Sequence, residues 1–535
     1  MLFIKSAARQ LRPGESSQDQ STYALFNRQF IAGRTTPNVP SYWLTHTSLS
    51  GFIIATHPLL PVTQQKYGNR ELICLGWIID PLNPSHNAAA VLTALLTRCT
   101  TFSAFETATS DLGGRWLVFI TIDGASRLYP DATAGRTAFF KTGPANAFWI
   151  ASQPQLMSKD ATLTLDTELI RAFLLHSPGS SWPADTTPYH GLRQLLANHF
   201  LDLHTGRCHR FWPVLPLPML HPKHAIERVV ELVCGFLASL SAQRSVALPL
   251  TAGYDSRVLF ACSLRLRTPP VFFTITDPAA PSHDVDIPRA LAKMYQVPYR
   301  VIHSIPCSQT AITIQKLNVA NMWWDPERYK LPTFNLFHDH IVLTGALGEL
   351  FRSFYYNTGP IREPIAPTTL ARASGYTSNP IATSAFAAWL AHLPACDPMT
   401  LLDLFYWEQR AAGWLALGNT ALDTYTDVVP PFNCRSLLEI GLSTDYRHKI
   451  RPHTLFRNIC ELLAPKARYL PFNDSAHSRL VRACASILPW RVRHRLTMAR
   501  MRAKGHDWFP APSTPQFPWP DDQASDLLAR FYAQS

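Results

Sequence analysis

The chain lacks the features that define several large classes of protein. No apolar run reaches the roughly 18 residues of a membrane-spanning helix, and the first 17 residues contain no apolar stretch followed by a small-residue cleavage site. None of the 10 cysteines forms a CxxC pair, which argues against the common zinc-site spacings. These absences predict a protein with no transmembrane segment, with reduced thiols, and located in the cytoplasm.

The composition indicates a large folded protein with a basic surface. Of 535 residues, 47% are hydrophobic, which excludes a disordered chain. The 49 basic and 37 acidic residues give a net charge of +12. This charge favours an anionic ligand such as a nucleotide, nucleic acid or acidic lipid, or it serves solubility alone. Because the sequence shows no RNA-binding domain or base-stacking motif, no nucleic-acid partner is expected.

The residue pattern changes along the chain and predicts four segments. Residues 1–212 are rich in short strands and turns and predict a layered α+β domain. Residues 213–222 hold four prolines and predict a stiff linker. Residues 223–480 alternate helices with predicted strands at 245–250, 270–276, 297–303 and 340–345, which is typical of a doubly wound parallel α/β sheet. Residues 481–535 form a basic and then proline-rich extension.

A strand-to-helix loop is the clearest functional signal. A buried apolar strand (245–250) leads into TAGYDSR (251–257), and a helical run follows at once. Small residues and consecutive backbone N–H groups at a helix start suit a phosphate group, and Asp255 can hold a metal ion that bridges phosphates. An ordinary turn capped by Asp255 or Ser256 is the alternative. The residues predicted to surround a nucleotide here are Thr251, Ala252, Gly253, Tyr254, Asp255, Ser256 and Arg257.

This loop resembles the pyrophosphatase loop of the asparagine synthetase family, usually written SGGxDS. Thr251 stands in place of the usual Ser and Ala252 in place of the first Gly, and both are small. In that family the loop binds the pyrophosphate part of ATP. The enzyme adenylates a carboxylate, and an amine then attacks to form an amide. The resemblance implies an ATP-dependent carbon–nitrogen ligase with an adenine nucleotide alpha hydrolase-like domain that uses ATP and Mg²⁺.

Further segments resemble the family in the same order. PVFFTITDP looks like its second strand, with Ile275 against adenine and Leu248 on the preceding strand also at the nucleotide. IVLTGALGELFRSFYY (341–356) is similar to LSGxGxDELFxGY. Without a gap, Thr344 and Gly345 match its Ser-Gly, and Glu349 takes the place of its metal-binding Asp. A shift of one residue would match Glu349 to the following Glu instead.

The resemblance also implies a catalytic lysine towards the end of this half. TDVVPPFNCRSLLEIGL (426–442) resembles the segment that precedes that lysine. The expected position holds His453, and Lys449, Arg451 and Lys466 are the candidates to replace it, with Lys449 favoured. The residues predicted to act in catalysis are Asp255, Glu349 and Lys449, and the first two are the predicted metal ligands.

The N-terminal half resembles the family's glutaminase domain, an Ntn-hydrolase-like layered domain. The stretches that carry this resemblance are 71–80, 110–140 and 192–212. Glutaminase chemistry requires a Cys made N-terminal by removal of Met. Position 2 is Leu2 and the first cysteine is Cys74. The expectation is therefore a domain that releases no ammonia from glutamine.

Family branches without glutaminase activity join the activated carboxylate to another amine. They include β-lactam-type synthetases and the macrolactam synthetases of lasso peptides, and a macrolactam cyclase is the preferred prediction. Its partners would be a peptide or small-molecule carboxylate substrate and a partner protease or leader-binding protein. Three alternatives stay open: an amidotransferase acting on a glycan or small acid with external ammonia, a degenerate nucleotide-binding scaffold, and a tRNA-modifying ligase.

Overall fold

The computed structural model describes most of both halves of the chain. The described residues are 24–142, 148–176, 179, 181–213, 216–276, 283–324, 326–356, 359–450, 452–472 and 520–534. Leu2, Arg451 and most of the predicted extension 481–535 lie outside these ranges. Within the described ranges, every helix is too short or too polar to cross a bilayer.

The first half contains two antiparallel six-stranded sheets. The strands are β1 Phe30–Gly33, β2 Leu44–Thr47, β3 Ile53–Thr56, β4 Val62–Tyr67, β5 Arg70–Ile79, β6 Gly113–Ile122, β7 Ala125–Pro130, β8 Phe139–Thr142, β9 Phe148–Ala151, β10 Arg193–Gln194, β11 His199–Asp202 and β12 Cys208–Arg210. The first sheet has the order β10-β8-β9-β1-β3-β2, and the second has the order β12-β11-β7-β6-β5-β4.

Alternate residues of β5 and β6 face two different apolar layers. Ile73 and Leu117 point towards the first sheet and share a core cluster with its strands. Cys74 and Val118, on the opposite face, pack against helices. The helices of this half are α1 Ala88–Arg98, α2 Phe102–Ala108 and α3 Thr167–Leu174. Because both faces are covered, β6 is buried along its whole length.

A long helix opens the second half. This helix, α4, spans Pro222–Gln243 and begins with a proline, the residue favoured at a first helical position. Pro222, predicted as the last residue of the linker, is thus already helical. The N–H of Leu220 donates to the carbonyl of Ser443 (2.8 Å), so the preceding segment is tied to the second half.

A five-stranded parallel sheet forms the centre of the second half, as the alternation of strands and helices predicted. Its strands are β13 Val246–Pro249, β14 Val271–Thr276, β15 Tyr299–His303, β16 Ile341–Leu343 and β17 Asp427–Val429. The order is β15-β14-β13-β16-β17, with the first strand in the middle and connections winding both ways. The pattern of short strand-like runs predicted the first four strands, whereas β17 was not predicted.

Helices surround this sheet and continue beyond it. They are α5 Tyr254–Ser263, α6 His283–Tyr295, α7 Gln309–Asn318, α8 Pro367–Ala373, α9 Pro380–Ala391, α10 Pro398–Phe405, a π-helix Tyr406–Leu415, α11 Ala416–Leu422, α12 Arg435–Leu442, α13 Tyr446–Lys449, α14 Thr454–Leu463 and α15 Asp522–Tyr532. Among the residues that the structure describes, four 3₁₀ helices lie at Pro154–Met157, Pro326–Phe337, Gly348–Phe351 and Pro465–Tyr469.

The two halves are held together by buried polar contacts as well as apolar packing. Arg115 of the first half makes two hydrogen bonds to Asp423 of the second (2.6 and 2.8 Å), and both side chains are 1% exposed. Phe531 of α15 packs edge-on against Phe26 and Trp43. Moving these two charges out of water costs free energy, which offsets their mutual attraction. We therefore expect this buried ion pair to fix the orientation of the halves more than to stabilise the fold.

Candidate functional site

The candidate site lies at the carboxyl edge of the parallel sheet, where β13 and β16 are neighbours. Loop 251–257 continues from β13, and segment 344–349 continues from β16. The connections of the sheet change direction between these two strands. Open parallel sheets bind ligands in the crevice at such a position. The sheet topology therefore brings together the two segments that the sequence analysis singled out.

Two glycines allow the second segment to lie directly against Asp255. A Cβ atom added to Gly345 would be 2.8 Å from the Cβ of Asp255. One added to Gly348 would be 2.4 Å from Oδ1 of the same residue. Real Cβ atoms essentially never approach other atoms below 3.0 Å. Only glycine fits at either position while Asp255 stays in place.

The loop is shaped by two hydroxyl groups. Thr251 Oγ1 and Ser256 Oγ are 2.9 Å apart, and Thr251 Oγ1 accepts a hydrogen bond from the N–H of Gly253 (3.1 Å). No described side chain caps the start of α5, and the start of a helix is a favourable place for an anion. Across the crevice, Thr344 Oγ1 is buried and has no hydrogen-bond partner among the described residues.

The predicted metal ligands lie on either side of an arginine. Arg352 donates from Nε to Asp255 Oδ1 (2.7 Å) and from Nη2 to Asp255 Oδ2 (2.5 Å). The same Nη2 is 3.8 Å from Glu349 Oε1, and Glu349 Oε2 accepts from the hydroxyl of Tyr406 (2.8 Å). Burial raises the pKa of Asp255 to about 6, although the charge of Arg352 acts in the opposite direction.

Asp255 and Glu349 suit Mg²⁺ when a phosphate shares the ion. Mg²⁺ is usually held by one or two carboxylates together with substrate phosphates. Within the described ranges, no group of three or more His, Cys, Asp or Glu side chains could hold a metal without such help. Arg352 uses one lone pair on each oxygen of Asp255, so a metal ion bound by this carboxylate would either share it with the guanidinium or displace the guanidinium.

The contacts at Gly348 bear on the choice between the two alignments of this segment. In the ungapped alignment Glu349 replaces the family's metal-binding Asp, and in the shifted alignment Gly348 occupies that position. Position 348 is the one that faces the Asp255 carboxylate, whereas Glu349 reaches Arg352 and Tyr406. Position 348 therefore lies closer to the Asp255 carboxylate than Glu349 does, and the choice between the two alignments stays a prediction.

A second cluster surrounds Lys449, which is 2% exposed. Its Nζ donates to Asp403 Oδ2 (2.5 Å) and to the hydroxyl of Tyr356 (3.3 Å). The Tyr356 hydroxyl in turn donates to Asp403 Oδ2 (2.7 Å). Burial raises the pKa of the Asp403 carboxyl, and Lys449 and Tyr356 act against that shift. Lys449, Asp403 and Tyr356 together form the lysine cluster.

The lysine cluster shares elements with the carboxylate pair. Asp403 lies on α10 one turn before Tyr406, the partner of Glu349. His453, at the position expected for the family lysine, packs its ring edge-on against Tyr254 of the loop (4.7 Å between centroids). Its Nδ1 contacts the carbonyl of Lys449 (2.5 Å). The site therefore extends from the loop to Lys449 through directly touching residues.

Two residues that were predicted to contact a nucleotide have side chains that make other contacts. The Arg257 guanidinium is buried and donates to the carbonyls of Ala467, Leu470 and Pro471 (2.7–3.2 Å), so it anchors that segment to α5. Leu248 is fully buried in the core. Neither side chain is open to a nucleotide in this arrangement, so a nucleotide contact at either position would have to involve the backbone. Ile275 is half-buried in β14, and its contact with adenine stays a prediction. Lys466 lies in a 3₁₀ helix outside the lysine cluster.

Four polar residues of the site were not identified from the sequence. They are Arg352, Tyr356, Asp403 and Tyr406. The first two stand within the 341–356 segment, where their polarity next to a predicted metal ligand was an available signal. Asp403 and Tyr406 carry no local signal, because a helix of ordinary apolar character surrounds them.

Comparisons with known proteins assign no family to the chain. No protein-family model matches it, and no curated protein does. Solved structures that resemble it include NMN synthetase from Francisella tularensis (12% identity, 26% of this chain, TM-score 0.18). This chain covers 59% of that enzyme's length.

Two other solved structures that resemble the chain are a second synthetase and an amidotransferase. NAD⁺ synthetase from Burkholderia pseudomallei shows 15% identity over 48% of this chain and 92% of its own, with a TM-score of 0.16. The glutamine phosphoribosylpyrophosphate amidotransferase from B. subtilis, complexed with ADP and GMP, shows 10% identity over 65% and 79%, with a TM-score of 0.21. TM-scores this low show no shared fold, so these two synthetases and the amidotransferase indicate nothing about the activity of this chain.

Proposed function

We propose that this chain is an ATP-dependent carbon–nitrogen ligase that adenylates a carboxylate and releases pyrophosphate and AMP. The observation that carries the proposal is the juxtaposition at the sheet edge. Loop 251–257 contains Asp255 and leads into a helix start that no described side chain caps. Glu349 lies on the other side of Arg352, and the buried Lys449 lies in the neighbouring lysine cluster. Such a site combines an anion cradle, ligands for Mg²⁺ and a fixed positive charge.

In the first step, an oxygen of the substrate carboxylate attacks the α-phosphorus of ATP, and the bond to the pyrophosphate oxygen breaks. Loop 251–257 binds the departing pyrophosphate through backbone N–H groups. Asp255 and Glu349 would hold Mg²⁺, which neutralises phosphate charge. Arg352, once released from Asp255, has a planar guanidinium that can pair with phosphate oxygens.

In the second step, an amine attacks the acyl carbon and AMP leaves. The lysine cluster supplies the groups this step requires. Lys449 places a positive charge where the tetrahedral oxyanion and the leaving AMP develop negative charge. Asp403, already hydrogen-bonded to Lys449 and Tyr356, accepts the proton that the attacking amine must lose.

We further propose that both reacting groups belong to one peptide, so that the product is a macrolactam. Cys74, the first cysteine of the chain, is no substitute for a glutaminase nucleophile, because it is buried and burial raises its pKa to about 12. The N-terminal half instead packs against the site half, which excludes water from an acyl-adenylate. A peptide folded in such a space presents its own amine at high effective concentration.

The second candidate is a nucleotide-binding scaffold without chemistry. The contact between Arg352 and Asp255 favours it, because the guanidinium already neutralises the charge of Asp255 and competes there with a metal cation. An amidotransferase that uses external ammonia on a glycan or small acid is the third candidate, and it predicts the same adenylation chemistry.

The deciding experiment is ATP–pyrophosphate exchange, followed by mass spectrometry of the product. Purified protein is incubated with ATP, Mg²⁺ and candidate leaderless peptides, with a partner protease where needed. AMP formation with loss of one water from the peptide supports the cyclase. Conversion of an acid to a primary amide, or AMP formation only with a sugar acid, supports the amidotransferase. Nucleotide binding without exchange supports the scaffold.

A further inference from the structure

Two cysteines lie side by side where helices α4 and α5 pack against each other. Cys234 is in the middle of α4, and Cys262 is in the last turn of α5. The Sγ of Cys234 donates to the carbonyl oxygen of Cys262 (3.9 Å), and the two thiol groups are also in hydrogen-bonding contact with each other. Both thiols are free. Their contact brings together two sulfur atoms that a disulfide can join.

The two thiols differ in their access to solvent. Cys234 is half-buried, whereas Cys262 is fully buried in the core. A small oxidant in solution therefore meets Cys234 first. Redox-sensor cysteines are solvent-accessible and stand next to a second cysteine that resolves the oxidised form. The burial of the two residues assigns the sensor position to Cys234 and the resolving position to Cys262.

The surroundings favour the reactive thiolate at the accessible position. The hydrogen bond with Cys262 lowers the pKa of the Cys234 thiol, and the Arg265 guanidinium acts in the same direction, although burial opposes both. The same hydrogen bond and burial raise the pKa of Cys262 well above its ordinary value. Because the thiolate is the form that attacks an oxidant, Cys234 reacts first while Cys262 keeps its proton.

Helix α5 connects this cysteine pair to the candidate site. The helix begins at Tyr254, inside loop 251–257. Cys262 follows Asp255 by two helical turns, about 10 Å along the helix axis. The sulfur atoms of a disulfide are about 2.05 Å apart, which is closer than two thiols that only share a hydrogen bond. Closing the bond therefore pulls the end of α5 towards α4, and a rigid helix transmits such a displacement to its start.

We propose that Cys234 and Cys262 form a reversible disulfide when the protein meets hydrogen peroxide, and that this bond switches off the site at the start of α5. The disulfide follows from the contact between the two cysteines alone. Its effect on ligation rests on the proposed function above.

The chemistry is a two-electron oxidation in which peroxide is reduced to water. The Cys234 thiolate attacks one peroxide oxygen, the O–O bond breaks and hydroxide leaves, so Cys234 becomes a sulfenic acid. The Cys262 sulfur then attacks the Cys234 sulfur, and the S–O bond breaks. The departing hydroxyl takes the Cys262 proton and leaves as water. A dithiol such as dithiothreitol restores both thiols by thiol–disulfide exchange and is itself oxidised.

The test treats the reduced full-length protein with hydrogen peroxide, blocks the remaining thiols with iodoacetamide and maps disulfides by mass spectrometry of unreduced peptides. We expect a cross-link between the peptides that contain Cys234 and Cys262, and dithiothreitol should remove it. ATP–pyrophosphate exchange and ATP binding, measured on the same samples, should each fall at least about ten-fold on oxidation and recover on reduction. A displacement of about 1 Å at a reacting group can cost about a hundred-fold in rate.

Cys234→Ala and Cys262→Ala should each lose the cross-link and keep exchange and ATP binding after peroxide treatment. Cys396→Ala removes another half-buried thiol and is the matched control, which should respond to peroxide like the wild type. Absence of the cross-link, a bond from Cys262 to Cys460 instead, or a cross-link that leaves ATP binding unchanged would overturn the proposal. A reduced protein that binds ATP but shows no exchange contradicts the ligase function alone, because the cross-link and ATP binding still report on the switch.

Discussion

The carboxylate of Asp255 accepts two hydrogen bonds from Arg352, a residue 97 positions further along the chain. This pair links the loop after β13 to the segment after β16. It also restrains the carboxylate that the proposed chemistry needs for Mg²⁺. Nucleotide binding and rearrangement of this pair are therefore expected to occur together.

The first prediction concerns Asp255 itself. Asp255→Asn preserves the size of the side chain but removes the charge that Mg²⁺ ligation requires. We expect ATP–pyrophosphate exchange to fall at least about a hundred-fold, the scale of losing one electrostatic contact in a transition state. Asp286→Asn, an exposed carboxylate on α6, is the matched control and should keep full exchange. Wild-type exchange in Asp255→Asn would refute the loop assignment.

The second prediction concerns the close approach at Gly348. Gly348→Ala places a methyl group 2.4 Å from Asp255 Oδ1, so Asp255 or the segment must move. We expect a loss of stability of about 1–3 kcal/mol in urea denaturation and a marked loss of exchange. Gly413→Ala, whose added Cβ would lie 3.9 Å from Ser181 Oγ, should show neither loss, and this control separates crowding at Asp255 from a general effect of alanine.

The third prediction separates the structural and catalytic roles of Lys449. Lys449→Met leaves Asp403 buried without its charge partner, and we expect a loss of about 3–5 kcal/mol in stability. The double variant Lys449→Met/Asp403→Leu removes both charges and should regain most of that stability. Amide product should stay absent in the double variant, whereas ATP–pyrophosphate exchange, which requires only the first step, should persist. If the stable double variant formed product at the wild-type rate, the lysine cluster would be structural only.

The fourth prediction concerns the thiol of Cys74. Because burial raises its pKa to about 12, the thiol stays protonated near neutral pH and is a poor nucleophile. We expect native protein to resist alkylation by iodoacetamide at Cys74 and to release no glutamate from glutamine above a heat-killed control. Peptide mapping by mass spectrometry locates the label. Glutamate release that disappears in Cys74→Ala would contradict this expectation.

Local sequence patterns predicted the parallel sheet but not all of its strands. Strands β13 to β16 are apolar runs bounded by turn residues, and each was identified within one or two residues of its ends. Strand β17, Asp427–Val429, has three residues and is recognisable as a strand only through its pairing with β16. A strand this short has too little periodicity to predict by itself.

The amino-acid sequence by itself determined the loop, the glycines beside it and the alternation of strands and helices that places them at one sheet edge. Only the tertiary structure decided which charges meet there. Asp255 pairs with Arg352, and Lys449 with an aspartate 46 positions away. Loop and helix formation depend on local backbone preferences that a short sequence window contains. Ion pairs depend on how distant elements pack, and the same packing directs the Arg257 guanidinium to the carbonyl of Ala467, 210 positions further along the chain.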